Sequence, residues 1–185
     1  AAAASSVAQP LPAEFACDRV HVEARTVDGN GVRFFTDTGG GTWIAAAAAK
    51  RLALEPTRHG EGDDAPSTVA FPGFAADAAI PVVDATVDTR GPAFRGRLFV
   101  MPEVPAFLKA DGMLGQEWFG GRVWTFDYAA GTLAVGGPGV ADGEHTVALG
   151  FPLNADGLRS THFPSIRATV DGEALTGWFT EDFTL

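Results

Sequence analysis

The sequence predicts a mainly β fold. Short segments rich in Val, Phe, Thr and Ile alternate with clusters of Gly, Pro and Asp, which is the spacing of strands joined by tight turns. Turn dipeptides such as Asp28-Gly29 and Asp171-Gly172 lie between these segments. With 185 residues, 46% of them hydrophobic, the chain can bury the core of one medium domain, or of one domain and part of a second.

Residues 1–14 are expected to form a flexible N-terminal segment. Ala1 to Ala13 reads AAAASSVAQPLPA, a run of small residues with two prolines. Such a stretch is common just after a secretory cleavage site, which predicts a periplasmic or secreted protein. A flexible tail without that history is the alternative.

Ten segments after this tail have the composition of strands. They are Val20 to Val27, Val32 to Thr36, Thr68 to Phe71, Ile80 to Val87, Arg95 to Val100, Arg122 to Tyr128, Thr132 to Val135, His145 to Leu149, Ile166 to Val170 and Gly177 to Phe183.

One short helix is predicted, from Trp43 to Leu54. Its five consecutive alanines lose no side-chain entropy in a helix, and Lys50 and Arg51 lie near the negative end of the helix dipole. Pro56 cannot continue the helix.

The stretch after this helix is predicted to be loop. Glu55 to Ser67 holds four acidic residues, two prolines and two glycines. Such a run is usually a solvated connector. The functional interpretation is a mobile flap or its stem, from Glu55 to Phe74, beside a cleft.

Charge and composition exclude several classes of function. The net charge of −10 repels phosphate backbones, and no apolar run reaches the ~20 residues that span a bilayer, so neither nucleic acid nor a membrane span is expected. Cys17 is the only cysteine, which excludes an intrachain disulfide and a thiolate metal cluster. The histidines lack metal-ligand spacing, so no metal is predicted and all are expected at the surface or in loops: His21, His59, His145 and His162.

The segment from Phe34 to Gly41 carries the candidate chemistry. An apolar strand runs directly into Asp37, Thr38 and three glycines. A carboxylate at a buried strand end requires hydrogen-bond donors, and glycines present unobstructed backbone N–H groups. For a D-T-G tripeptide alone, a turn in which Asp37 caps the following helix is the simpler interpretation.

Three separated segments together resemble the retropepsin-like aspartic proteases of bacteria. FFTDTGGGTWI (34–44) is similar to that family's strand and catalytic loop, and the helical stretch after it fits as well. DGMLGQEWF (111–119) resembles the signature in which two apolar residues and a glycine pass beside the catalytic loop. RVWTFDYAAGTLAV (122–135) looks like the closing hairpin. The resemblance covers about residues 20–136 and implies a closed acid-protease barrel lobe at 15–136.

The resemblance implies an aspartic endopeptidase that needs no cofactor and cleaves a peptide or protein substrate. A water molecule would be activated by two carboxylates that share one proton. Asp37 would be one of them, and the other would come from a homodimer mate or from a second lobe. The remaining implied site residues are Thr38, Gly39, Gly40 and Thr42 in the catalytic loop and Met113, Leu114 and Gly115 in the segment packed beside it.

Two features depart from the family pattern. Gly40 stands where the family often has Ala or Ser, and Gly41 stands where a hydroxyl residue is common, so Thr42 is expected to supply the missing hydroxyl. A catalytically inactive peptide-binding or scaffold protein on the same fold is therefore the alternative function.

Residues 137–185 are predicted to form a C-terminal β extension or part of a second lobe. Arg167 to Gly172 echoes Ala24 to Gly29, as an internal repeat would, although coincidence between two short β segments explains it equally well. No D-[ST]-G follows in this part of the chain. The chain is then either a fragment of a two-lobed enzyme or one lobe with an extension.

Overall fold

A computed structural model describes residues 7–16, 19–57, 68–70, 79–137, 150–151, 153, 155, 157, 168–170 and 173–175. The protein is mainly β, as the sequence predicts. The strands are β1 (Gln9–Leu11), β2 (Ala13–Ala16), β3 (Arg19–Thr26), β4 (Gly31–Thr36), β5 (Trp43–Ala45), β6 (Thr68–Ala70), β7 (Ala79–Asp88), β8 (Phe94–Met101), β9 (Gly112–Leu114), β10 (Trp124–Asp127), β11 (Thr132–Val135), β12 (Ala168–Val170) and β13 (Glu173–Leu175).

Six strands close into a barrel. The order around it is β3-β4-β9-β5-β8-β7, and β7 returns to β3 through the pairs Arg25↔Asp88 and Thr26↔Val87. β2 extends the sheet beyond β3, and β6 extends it beyond β7. The predicted closed β-barrel is thereby confirmed.

The barrel closes around side chains that alternate along its strands. Val20, Val22 and Ala24 of β3 are buried, and Val22 is fully inaccessible. Phe34 of β4 and Leu98 of β8 are also fully inaccessible and join the same cluster. This period of two is what a strand with one face on the core requires.

Within the described residues, the helices are α1 (Ala46–Arg51), α2 (Gln116–Phe119) and a 3-10 helix at Ala106–Leu108. The predicted helix from Trp43 to Leu54 is wrong at its start, because Trp43–Ala45 form β5 between β8 and β9. Trp43 and Ile44 are buried in this strand, and burial with strand pairing outweighs local helix propensity. Among the described helices, none is long and apolar enough to cross a membrane.

The predicted flexible segment at 1–14 is wrong for residues 9–14. β1 pairs with β11, and β2 pairs with β3. Leu11 is buried in the main core beside Leu133, so apolar burial and backbone hydrogen bonds offset the entropy lost on ordering this segment. β1, β11 and β10 form a small second sheet.

His21 is also placed differently from the prediction of surface histidines. It lies in β3, is 5% exposed, and its Nε2 is 3.0 Å from the carbonyl oxygen of Leu108. Alternation along β3 places the ring on the face opposite to Val20 and Val22, where it is covered and the Leu108 carbonyl supplies a partner. Other sequence predictions fall outside the described residues: the remaining three histidines, Cys17, the strands at 145–149 and 177–183, and most of the flap at 55–74.

The echoed segments both form hairpins, but their registers differ. β3 and β4 pair Arg25 with Gly31, and the amide of Thr26 donates to the carbonyl of Asn30. β12 and β13 pair Val170 with Glu173, which leaves a shorter connection. β12 and β13 form a two-stranded sheet of their own.

Gly112→Ala is expected to lower the free energy of unfolding by about 3 kcal/mol, since overpacking against backbone cannot relax easily. A Cβ at this position would collide with the carbonyl oxygen of Trp43 and lie 3.0 Å from Cα of Ile44. Gly31→Ala is the matched control, because a Cβ there meets nothing within 4 Å. Denaturant unfolding of both variants measures the difference, and equal losses would contradict the packing of β9 between β4 and β5.

Candidate active site

Asp37 lies at the point where the chain leaves β4. β9 pairs with β4 in parallel, through Phe34↔Gly112 and Thr36↔Leu114, and the amide of Asp37 donates to the carbonyl of Leu114 at 3.2 Å. β9 pairs on its other side with β5. The loop that carries Asp37 therefore joins two strands that are separated by a third, and its two ends are held by the same strand.

The carboxylate of Asp37 is held by its own loop. The amides of Gly39 and Gly40 donate to Oδ1 at 2.9 and 3.1 Å, and the side chain is half-buried. Two amide donors to one carboxylate oxygen offset part of the cost of removing the charge from water. The sequence analysis expects unobstructed glycine amides at this carboxylate, and Gly39 and Gly40 supply two of them.

A close backbone contact fixes the other side of the loop. A Cβ on Gly115 would overlap the carbonyl oxygen of Gly40 and lie 2.6 Å from the carbonyl carbon of Gly41. The amide of Gln116 donates to that Gly40 carbonyl at 2.8 Å. No residue except glycine fits at 115 without moving the loop.

Thr42 ties the two segments together. Its buried hydroxyl oxygen accepts a hydrogen bond from the amide of Gly115 at 3.1 Å, and its carbonyl accepts one from the amide of Phe99 at 3.2 Å. The predicted hydroxyl of Thr42 thus bonds to the packing segment. Thr38 lies half-buried in the loop beside Asp37.

Met113, Leu114 and Gly115 lie beside the loop that carries Asp37. Leu114 is fully buried in the main core, while Met113 is buried in a second cluster with Trp43, Val82, Phe99 and Leu108. The structure therefore brings Asp37, Thr42 and the 113–115 segment together around one loop.

Sequence reasoning gave no role to Asp111, which organises the base of this arrangement. Its Oδ2 accepts the amide of Arg33 at 2.9 Å, and its Oδ1 forms a 2.8 Å ion pair with Arg51. Its carbonyl accepts a hydrogen bond from the amide of Ala45, and its amide donates one to the carbonyl of Arg33. The only signal in the sequence was its place at the start of the DGMLG segment.

Arg33 carries a guanidinium whose pKa is raised. Its guanidinium forms ion pairs of 2.9 Å with Glu14 and 2.8 Å with Glu23. Burial acts to lower the pKa of Arg33, but the hydrogen bonds that its guanidinium donates to the two carboxylates, together with their negative charges, outweigh burial and raise the pKa above the ordinary value. Because both glutamates are mostly exposed, these pairs contribute little to stability.

The Asp37 loop presents one carboxylate that can take part in proton transfer. A carboxylate held by amides can accept a proton from water or hold one, but a single group cannot do both in one step. Within the part of the chain that the structure describes, no three His, Cys, Asp or Glu side chains group as metal ligands.

No protein-family model matches the chain, and a search of curated proteins found no match.

Asp111→Ala is expected to lower the free energy of unfolding by about 2 kcal/mol, because it leaves the part-buried Arg33 amide without its acceptor. Arg51→Ala removes the half-exposed ion pair and an exposed hydrogen bond to the carbonyl of Gly31, and should cost less than about 1 kcal/mol. Asp84→Ala, at an exposed strand position, is the control. Denaturant unfolding compares the three, and equal losses for Asp111→Ala and Arg51→Ala would assign the role to the ion pair instead.

Proposed function

We propose that this chain is a retropepsin-like aspartic endopeptidase lobe in which Asp37 is a catalytic carboxylate. The observation that carries the proposal is the D-T-G loop itself, with the Gly39 and Gly40 amides on Oδ1 and β9 inserted between the strands that flank it. A simple helix cap is a weaker explanation, since the helix begins only at Ala46, after β5, and its N-cap makes no side-chain hydrogen bond.

The chemistry requires two carboxyl groups in different protonation states. The ionised carboxylate takes a proton from water, and the resulting hydroxide oxygen bonds to the scissile carbonyl carbon. The protonated partner donates a hydrogen bond to the carbonyl oxygen as negative charge develops there. The tetrahedral intermediate then breaks its C–N bond as a proton passes to the amine, giving a carboxylic acid and a free amine.

The second carboxylate has to come from another D-[ST]-G loop. Residues 137–185 contain no such motif, so we place it on a second copy of this chain, related by a two-fold axis, or on a second lobe. Two carboxylates that share a proton titrate as a unit, which gives a bell-shaped dependence of rate on pH.

A non-catalytic peptide-binding or scaffold protein is the second candidate function. What favours it is the presence of one D-T-G motif in the sequence, together with glycine at positions 40 and 41. The two functions differ in the fate of a bound peptide: an endopeptidase hydrolyses it, whereas a binding protein releases it unchanged.

Asp37→Asn is expected to abolish hydrolysis of an unfolded protein substrate and to leave the thermal transition within a few degrees of the parent. Asn keeps the size of the side chain and an acceptor oxygen for the Gly39 and Gly40 amides, but it cannot accept the proton from water. Asp84→Asn, an exposed carboxylate exchanged in the same way, should retain full activity. Equal turnover in the parent and in Asp37→Asn would refute the endopeptidase proposal.

Activity is expected to depend on a second carboxylate-bearing lobe. For a homodimer, the rate at low concentration should rise with the square of the chain concentration, because two chains build one site. Sedimentation under the same conditions reports the mass of the active species. A strictly monomeric chain whose rate rises linearly with concentration would show that the partner carboxylate lies within these 185 residues.

A further inference from the structure

The space above Gly40 is shared by two side chains of the site. A Cβ built on Gly40 would collide with the terminal methyl carbon of Met113 and would lie 3.2 Å from both Cγ and Oδ2 of Asp37. The hydrogen-only face of Gly40 is therefore covered by the Met113 methyl group on one side and bounded by the carboxyl group on the other.

Met113 cannot leave this position without disturbing its surroundings. It is 6% exposed and packs in the cluster formed with Trp43, Val82, Phe99 and Leu108. Its backbone is paired with Phe35 on one side and with Trp43 on the other. The thioether side chain is flexible, but each alternative rotamer has to enter an occupied core.

The covered glycine also supplies one of the donors that hold the carboxylate. The amide of Gly40 donates to Oδ1 of Asp37 at 3.1 Å, and the Gly40 carbonyl accepts from Gln116. A group that presses on Cα of Gly40 therefore acts on the position of an amide bonded to Asp37.

We infer that Met113 is a positioning residue for Asp37 and that residues 40 and 113 form a coupled pair. The methyl group of Met113 occupies the place of a side chain at residue 40 and keeps the Gly40 amide under Oδ1. An alanine at 40 takes that place and forces the methyl group away from the loop. The expected effect on catalysis rests on the proposed function. The competition between a side chain at residue 40 and the Met113 methyl group for the same space is independent of that function.

A double-mutant cycle tests the coupling through activity. Gly40→Ala should lower kcat about tenfold with KM within about twofold of the parent, because it shifts the catalytic group more than the substrate site. Gly40→Ala combined with Met113→Ala should recover kcat to within about threefold of the parent, since the new methyl group replaces the lost one. Losses that simply multiply would overturn the inference.

Met101 provides the matched control. It is the other methionine of the sequence and packs against the same cluster as Met113. Gly40→Ala combined with Met101→Ala should stay as impaired as Gly40→Ala alone, since cavity formation in the cluster does not clear the space above residue 40. Recovery in this control would assign the effect to general loosening of the core and would also overturn the inference.

Nuclear magnetic resonance of the same variants separates this inference from the proposed function. With methionine methyl groups labelled, Gly40→Ala should move the Met113 methyl signal and the Gly39 amide signal, and leave the Met101 methyl signal in place. The Gly39 amide signal should return toward its parent position in the Gly40→Ala, Met113→Ala variant. Unmoved Met113 and Gly39 signals in Gly40→Ala refute the coupling even if the protein hydrolyses peptides, and the expected shifts support it even if it does not.

Discussion

The structure depends on one backbone crossing without room for a side chain. Gly115 passes so close to the carbonyls of Gly40 and Gly41 that a Cβ would overlap them. This contact allows β9 to lie between β4 and β5, and the barrel closes only because β9 fills that place. The position of Asp37 follows from the same contact, since its amide bonds to Leu114, the residue before Gly115.

Around this crossing, polar groups bind neighbouring segments. The Thr42 hydroxyl accepts a hydrogen bond from the Gly115 amide, while Asp111 joins β4, β5 and α1 through Arg33, Ala45 and Arg51. The bonds to Gly115, Arg33 and Ala45 each satisfy a backbone amide that would otherwise be costly to bury. The loop is therefore held from both ends, and such preorganisation is what the proposed catalytic role of Asp37 would need.

The charge of the Asp37 carboxylate is stabilised by groups of its own loop. The chain carries a net charge of −10, which disfavours another carboxylate, yet two amides on Oδ1 stabilise the charge of Asp37 where it is needed. Bringing a second carboxyl group close would favour a single shared proton, because two adjacent negative charges repel strongly. In the proposed function, this loop supplies one of the two carboxyl groups and a second copy or lobe supplies the other.

The sequence by itself determined eight of the described strands and the chemistry of the loop, since both depend on neighbours along the chain. The eight predicted strand segments that fall on described residues each overlap an observed strand, and the glycines after Asp37 supply the predicted amides. Only the tertiary structure decided that Trp43–Ala45 form a strand, that Asp111 joins three elements and that Met113 covers Gly40. These outcomes depend on contacts between residues about 70 positions apart, and local propensity and periodicity carry no information about such contacts.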